Sequence, residues 1–117
     1  MYGGLCCYCE TEIGVVAFEH IEHRRPKARF PKHCFDWGNL HLACPKCNQA
    51  KGDNWNGRSP ILDAVRDSPI GTHMTYDWRE VLGVIRSAKT KRGCTTIDHA
   101  DLNRERLRGV RTKVAHG

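Results

Sequence analysis

The chain has 117 residues, which fits one domain or one domain with an appendage. Its 19 Lys and Arg residues outnumber its 13 Asp and Glu residues, and the net charge of +6 is compatible with a polyanionic partner. The first residues lack the charged and apolar regions of a secretory signal, and no apolar run approaches the roughly 20 residues that span a bilayer. We therefore expect a cytoplasmic protein without a membrane partner, whose seven cysteines are thiols or metal ligands rather than disulfides.

The first predicted elements are a turn, a strand and a loop. Residues 5–10 predict a tight turn that presents two cysteine sulfurs, and residues 15–23, rich in β-branched and aromatic types, predict a strand. Pro26 and Pro31 disfavour a helix in the stretch that follows. Residues 24–38 are therefore predicted to form an irregular loop.

A second strand and a short helix are expected next. Residues 39–43 alternate between polar and apolar types, as a half-buried strand does. Residues 45–51 fit one or two helical turns, with a proline in the first turn and Gly52 just past the end. Residues 54–60 read as a connection, and residues 72–89 are ambiguous between a hairpin and a helix.

Two short helices are predicted near the end of the chain. The first is capped by Thr95 or Thr96, and the second is capped by Asn103 and turns Leu107 and Val110 inward. The predicted fold class is therefore α+β. A small core of two strands and a helix occupies residues 1–53, and a mainly helical C-terminal extension over residues 54–117 packs on it within a single domain.

Four cysteines form two Cys-x-x-Cys pairs, Cys6 with Cys9 and Cys44 with Cys47. This spacing lets one turn direct two sulfurs at one tetrahedral ion, so two pairs complete the shell of a structural zinc site. A closed shell leaves no position for chemistry, and the expected role of this Zn²⁺ is to hold a small fold together. A redox function is the alternative for a single Cys-x-x-Cys motif, but it does not explain two pairs.

An acid–base pair, Glu22 and His23, lies between the two cysteine pairs, and Asn48 directly follows the last cysteine. Hydrolysis of a phosphodiester needs a base that activates water and a cation that stabilises charge on the phosphate. His23 suits the first role, and Glu22 and Asn48 offer the hard oxygen ligands that Mg²⁺ or Mn²⁺ prefers. Because neighbouring strand residues point to opposite faces, Glu22 and His23 share a site only if the strand distorts or ends there.

Basic residues follow this pair directly. The stretch contains no acidic residue and supplies five candidate nucleic-acid contacts, Arg24, Arg25, Lys27, Arg29 and Lys32. A second basic group lies over residues 104–113. A solvated face without a partner is the alternative for both groups. Lys51, at the end of the predicted short helix, is a further candidate for a phosphate contact, with a solvated lysine as the alternative.

These strings resemble the HNH (ββα-metal) nuclease family. The resemblance rests on Cys-Cys-Tyr-Cys-Glu, Ile-Glu-His-Arg-Arg-Pro-Lys, Asp-Trp-Gly-Asn-Leu and Cys-Pro-Lys-Cys-Asn-Gln-Ala-Lys-Gly-Asp. Within the family they are most similar to HNH proteins of the Septu and retron-associated anti-phage type. The likeness covers the chain in patches from residue 6 to residue 111 and is most specific over residues 6–53.

The resemblance implies a role for each motif residue. His23 would be the general base, and Glu22 and Asn48 would be ligands of one catalytic Mg²⁺ or Mn²⁺. Asn39 would orient the loop that holds the histidine. Asn48 stands where many family members have histidine, which makes the motif a variant that keeps an oxygen or nitrogen donor.

The expected function is a metal-dependent HNH endonuclease that hydrolyses phosphodiester bonds of DNA in anti-phage defence. One alternative is a zinc-stabilised nucleic-acid-binding module without catalysis, and another is an effector subunit that assembles with an ATPase. RNA is the alternative substrate. The sequence does not distinguish nicking from cleavage of both strands.

Overall fold

A computed structural model describes residues 5–11, 20–67 and 69–116. Within these residues the chain forms four strands and three α-helices. The elements are β1 (His20–His23), β2 (Leu40–Ala43), α1 (Pro45–Lys51), β3 (Met74–Arg79), β4 (Gly83–Ala88), α2 (Lys91–His99) and α3 (Glu105–His116). The predicted α+β class is confirmed.

The first sheet has two antiparallel strands, β1 and β2. Glu22 faces His41 across the sheet, and His23 faces Leu40. The predicted first strand is thus confirmed over His20–His23, while its earlier part, residues 15–19, lies outside the described residues. The loop between β1 and β2 contains no α-helix, as its prolines predict, but two short 3₁₀ turns lie at Pro31–His33 and Trp37–Asn39.

Helix α1 follows β2 directly and ends where the sequence predicts. Pro45 occupies its first turn, where the missing N–H costs nothing. Gly52 follows the last residue with φ of 48°, a left-handed conformation that glycine adopts without strain. The strand, loop, strand and helix of the predicted core are therefore present in this order.

The ambiguous stretch after residue 72 is a hairpin of β3 and β4. The sequence gives Gly83 no clear role, whereas the structure shows that its lack of a side chain is required. Gly83 has φ of 77°, and an added Cβ would collide with the hydroxyl of Thr112 in α3. Helix α3 therefore packs closely against the start of β4.

The predicted helix caps near the end of the chain are wrong. Helix α2 begins at Lys91, and the hydroxyl of Thr90, not of Thr95 or Thr96, accepts a hydrogen bond from the Gly93 amide. Each of the two expected caps lies in the middle of α2 and donates its hydroxyl to a carbonyl four residues earlier.

Asn103 does not cap α3 either. Its side-chain oxygen accepts from the amide of Arg86 in β4 at 2.7 Å, and its nitrogen donates to the Arg86 carbonyl at 2.9 Å. The residue therefore ties the segment before α3 to the edge of the hairpin. Leu107 is buried as predicted, whereas Val110 is exposed.

One apolar core joins the cysteine turn, the first sheet and the C-terminal segments. Its buried members are Cys6, Tyr8, Cys9, Ala43, Cys47, Ile61, Leu62, Met74, Ala100, Leu102 and Leu107. Three of the four predicted metal ligands, Cys6, Cys9 and Cys47, are therefore also packing residues of the core. Among the described residues, no helix combines the length and apolar character needed to cross a membrane.

Candidate active site and metal centre

The four predicted zinc ligands come together in the structure. The sulfurs of Cys6, Cys9, Cys44 and Cys47 all lie within 4.8 Å of one another, and Cys9 Sγ lies 3.9 Å from Cys44 Sγ. Zn–S bonds of about 2.3 Å in a tetrahedron place neighbouring sulfurs about 3.8 Å apart. The cluster therefore fits the size and donor type of a structural Zn²⁺ site.

Two local features bring these sulfurs together. The first pair lies on a turn in which the Glu10 amide donates to the Cys6 carbonyl at 3.0 Å and Glu10 takes φ of 60°. The amide of Cys7 donates to the Leu42 carbonyl at 3.0 Å, which fixes the turn against β2. The second pair lies at the start of α1, one helical turn apart.

The electrostatics of the cluster favour a cation. Hydrogen bonding with the Cys44 sulfur raises the pKa of Cys9 and of Cys47, whereas contact with Cys47 lowers the pKa of Cys44. Four thiolates at these distances repel one another, so the fully deprotonated set needs a positive ion between the sulfurs. A bound Zn²⁺ would supply that charge in place of the thiol protons.

Arg104 adds a positive charge that sequence reasoning missed. Its Nη1 and Nη2 atoms each lie 3.4 Å from Cys47 Sγ, and Nη2 lies 3.9 Å from Cys44 Sγ. Burial lowers the pKa of Arg104, but hydrogen bonding to Cys47 and the charges of the cluster cysteines together outweigh this effect, so the net pKa is raised. A four-thiolate zinc complex carries a net charge of about −2, so the guanidinium offsets part of it. The sequence places Arg104 only in a basic group, because the contact joins residues far apart in the chain.

Glu22 is buried in a network with two hydrogen-bonding partners. The Tyr8 hydroxyl donates to Glu22 Oε2 at 2.6 Å, and Lys51 Nζ lies 2.6 Å from Glu22 Oε1. Burial raises the pKa of Tyr8, and the Glu22 charge raises it further, so the phenol remains a donor. Lys51 Nζ also donates to the His23 carbonyl at 2.9 Å.

This network corrects the prediction that Lys51 contacts nucleic acid. The Lys51 side chain is fully buried, at 0% exposure, and its ammonium is bound to Glu22 and to a backbone carbonyl. A phosphate in solution has no path to this charge. Lys51 instead fastens α1 to β1.

His23 lies at the end of β1 with its ring fixed by the loop. Its Nε2 atom is 3.0 Å from the carbonyl oxygen of Cys34. A carbonyl can only accept a hydrogen bond, so Nε2 carries the proton and Nδ1 of the neutral ring has the lone pair. The structure thus assigns different roles to the two ring nitrogens.

Asn39 holds the same loop in place. Its side-chain oxygen accepts from the Arg25 amide at 2.8 Å, and its nitrogen lies 3.1 Å from the Arg25 carbonyl and 3.3 Å from the His33 carbonyl. Asn39 is buried, and these contacts join both ends of the loop next to Cys34.

His23, Glu22 and Asn48 line one cavity of about 300 Å³. Asn48 Nδ2 lies 3.1 Å from Nδ1 of His20, so this contact engages the amide nitrogen and not the oxygen, the atom that a hard cation requires. Asp53, which the sequence analysis did not select, also lines the cavity. The donor types therefore fit Mg²⁺ or Mn²⁺, although Glu22 already binds Lys51.

The five basic residues of the loop fall into two groups. The prediction that Arg24 contacts nucleic acid is wrong, because its side chain is buried. Its Nε and Nη2 atoms donate to the Ile61 carbonyl at 3.0 and 2.6 Å. It fastens the loop to the later chain rather than binding a partner. The other four, Arg25, Lys27, Arg29 and Lys32, are exposed.

One match to a known protein family covers both the cysteine cluster and the residues that line the cavity. Residues 6–54 match the family HNH endonuclease. This match spans the zinc ligands, His23, Asn39 and Asn48, and it confirms the resemblance inferred from the sequence. Residues 6–54 are therefore similar to HNH endonucleases.

Two relatives extend the similarity along most of the chain. The chain is 29% identical to Septu protein PtuB of Bacillus thuringiensis over 104 residues, which are 88% of this chain and 38% of the relative. It is 27% identical to Septu protein PtuB of Bacillus mycoides over 146 residues, covering 98% of this chain and 48% of that relative. The chain thus spans less than half the length of either relative. No solved structure matches the chain.

Proposed function

We propose that the chain is a metal-dependent endonuclease that hydrolyses phosphodiester bonds of DNA, with His23 as the general base. The observation that carries this proposal is the contact between His23 Nε2 and the Cys34 carbonyl at 3.0 Å. It fixes the ring and leaves Nδ1 as the acceptor nitrogen, as a general base requires.

In the proposed reaction, His23 Nδ1 accepts a proton from the water that attacks the phosphorus atom. The ring then carries two N–H groups, and the carbonyl of Cys34 stabilises the resulting imidazolium as a hydrogen-bond acceptor. Asn39 acts on the same step indirectly, because it holds the loop that supplies this carbonyl. Rigid placement of a catalytic group contributes to rate, because small displacements from the productive geometry are costly.

Asn48 and Glu22 would hold the catalytic Mg²⁺ or Mn²⁺, which supplies positive charge next to the scissile phosphate when bound. The Asn48 amide oxygen is the more accessible donor, since Glu22 is buried against Lys51. Glu22 can therefore bind the ion only if its carboxylate contacts the ion and Lys51 together or separates from Lys51. Asp53 lines the same cavity and is exposed, so it offers a carboxylate without that exchange.

The similarity to Septu proteins supports a further proposal about biological context. The resemblance implies anti-phage defence in the prokaryotic cytoplasm and assembly with an ATPase or another defence protein. The chain spans less than half of each relative. We therefore propose partner binding from the similarity to these relatives and assign it to no particular surface of the chain.

A cleavage assay on supercoiled DNA tests the nuclease proposal. We expect cleavage with Mg²⁺ or Mn²⁺, and a loss of about 10²- to 10⁴-fold in rate for His23→Ala, the usual effect of removing a general base. His73→Gln is the matched control, because His73 contacts Thr90 in the C-terminal part of the chain. Wild-type protein that cleaves neither DNA nor RNA with any divalent ion, alone or with a defence partner, would contradict the proposal.

The same assay separates the two proposed carboxylate ligands. If Glu22 binds the ion, Glu22→Gln raises the Mg²⁺ concentration needed for half-maximal rate and Asp53→Asn does not. The reverse result assigns the ion to Asp53. The melting temperature of each variant must be measured alongside, because Glu22 also has a buried structural contact.

A further inference from the structure

Two aromatic side chains of the β1–β2 loop are exposed next to the catalytic histidine. Phe35 is 92% exposed and Trp37 is 77% exposed. Burying an aromatic side chain of this kind is favourable by about 1.5–3 kcal/mol, so a free protein gains nothing by leaving both in water. Phe35 and Trp37 are two residues apart in the chain, and exposed aromatic side chains of this kind indicate a binding surface.

Trp37 lines two cavities of different character. One is a mainly apolar cavity of about 290 Å³, lined also by Ile21, Leu40, His41 and Leu42. The other is a polar cavity of about 510 Å³ that Arg25 and Arg66 also line. Trp37 thus borders both an apolar surface and a cationic one.

The arginines of the polar cavity keep their charge available. Within the described part of the chain, neither Arg25 nor Arg66 forms an ion pair with a carboxylate. Arg25 lies 5.6 Å from the ring centroids of Phe30 and Trp55, which orient its guanidinium without neutralising it. Arg66 approaches the loop closely at Gly38, where an added Cβ would lie 2.8 Å from its Nη2 atom.

The acidic groups of this cavity already have partners. Asp36 pairs with His33 at 2.6 Å, and buried Asp63 lies 3.7 Å from His41 Nε2. The two carboxylates that would repel a phosphate are therefore already in contact with histidine side chains of the protein. An aromatic plane beside unpaired guanidinium groups matches a nucleotide, which has a flat base and an anionic phosphate.

We propose that Trp37 and Phe35, with Arg25 and Arg66, form a platform that binds unpaired nucleotides of the substrate next to His23. This inference rests on the proposed nuclease function and names the form of its substrate. In a duplex the faces of the bases are stacked on one another and cannot reach an indole ring, whereas an unpaired base can.

The platform has a fixed position relative to the catalytic histidine. Phe35 directly follows Cys34, whose carbonyl binds His23 Nε2, and Trp37 begins the 3₁₀ turn that ends at Asn39. We expect a base stacked on the platform to bring its neighbouring phosphates towards the cavity that holds His23. We expect cleavage close to single-stranded segments, gaps or bubbles rather than within uninterrupted duplex.

The test measures binding by fluorescence anisotropy with labelled single-stranded DNA, single-stranded RNA and duplex DNA of the same sequence. The protein carries His23→Ala, so that no substrate is consumed. We expect tighter binding of the single strands, and Trp37→Ala should weaken it about 5- to 150-fold, the range that loss of one base–aromatic stack produces. Trp37→Phe should retain most of the affinity, and duplex binding should change by less than about twofold under the same principle.

Trp78→Ala is the matched control, because Trp78 is 54% exposed on the β3–β4 hairpin away from this loop. Zinc content and melting temperature should be the same in all variants. The arginine contribution is read from the salt dependence, since Arg66→Gln should reduce the log–log slope for single strands by about 0.7.

Equal affinity for duplex and single strands, unchanged by Trp37→Ala, would overturn the inference and leave the nuclease proposal intact. If Trp37→Ala instead abolishes only binding of a protein partner, the surface is a protein interface and the inference also fails. If Trp37-dependent binding of single strands persists while wild-type protein cleaves nothing, the nuclease proposal fails and the platform stands. The DNA and RNA arms identify which nucleic acid it prefers.

Discussion

The cysteine cluster and the proposed catalytic cavity share one short helix but differ in how completely the chain prepares them. The predicted zinc ligands Cys44 and Cys47 lie at the N-cap and in the first turn of α1, with Asn48 and Lys51 further along. The four sulfurs already lie at metal-binding distances, with Arg104 beside them. In the cavity, by contrast, the predicted ligand Glu22 is paired with a lysine. The other contacts of the cluster sulfurs come from N–H donors, which do not compete with a cation, whereas Lys51 in the cavity competes with the ion for Glu22.

The largest expected effect is at the cysteine cluster. Cys47→Ser removes a ligand at the centre of the core, and structural zinc contributes about 10–16 kcal/mol in small zinc-dependent folds. We expect loss of bound zinc and of cooperative unfolding, measured by metal analysis and circular dichroism. Cys94→Ser is the control, because Cys94 is exposed and outside the cluster. A chelated wild-type protein that keeps its melting transition would contradict this expectation.

The next effect concerns the buried ion pair of the cavity. Lys51→Met leaves the Glu22 carboxylate buried without its cation, which costs about 3–5 kcal/mol in free energy of unfolding. Chemical denaturation measures this loss. Lys46→Met, on the exposed face of the same helix, should have little effect.

A double variant tests whether the pair itself is responsible. Adding Glu22→Gln to Lys51→Met removes the unpaired charge and should recover part of the lost stability. If the double variant is as unstable as the sum of the two single variants, the charge pair is not the source of the loss, and Lys51 acts mainly through packing.

A smaller effect is expected from the charge beside the cysteines. Arg104→Gln removes the guanidinium from Cys47, and loss of a group that supports metal ligands typically lowers metal affinity about 10- to 100-fold. Competition with a chromogenic chelator measures this change. Arg104→Lys should lower zinc affinity less than Arg104→Gln, because lysine keeps the positive charge. Arg106→Gln is the matched control, because Arg106 is exposed. Identical zinc affinity in all three would show that the contact has no role in metal retention.

The smallest effect lies at the rim of the cavity. Lys27 is exposed and lines the cavity, so Lys27→Gln should reduce the slope of log affinity against log salt for duplex DNA by about 0.9 if it contacts one phosphate. Lys91→Gln, at the exposed start of α2, is the control. An unchanged slope for Lys27→Gln would assign this lysine to the solvated surface.

The sequence predicts what depends on local spacing. Two Cys-x-x-Cys pairs, a proline in the first turn of α1 and a glycine after it are local signals, and the structure has each where expected. The sequence does not predict contacts between segments that are far apart in the chain. Arg104 and Arg24 belong to stretches that read as exposed basic runs, and only the folded chain brings them to Cys47 and to Ile61.

Competition between partners explains the remaining errors. Thr95, Thr96 and Asn103 are all good caps in isolation, but Thr90 precedes the true start of α2 and Asn103 is used by β4. Lys51 is a solvent-exposed type of residue, and its burial follows from the presence of Glu22 opposite α1. In each case the local preference is real and a tertiary partner overrides it. The residue roles in catalysis, and the division of the chain near residue 53, stay predictions.

Tyr8 has a consequence for how newly made chains mature. It lies on the turn between Cys6 and Cys9, and its hydroxyl donates to Glu22 in the wall of the proposed catalytic cavity. The predicted Zn²⁺ would hold this turn through Cys6 and Cys9, so we expect the cavity wall to be complete only after zinc has been acquired. We therefore expect nuclease activity to appear after metal loading rather than with synthesis. A cell short of zinc would then accumulate inactive chains, and supply of one metal would set when the chemistry of another begins.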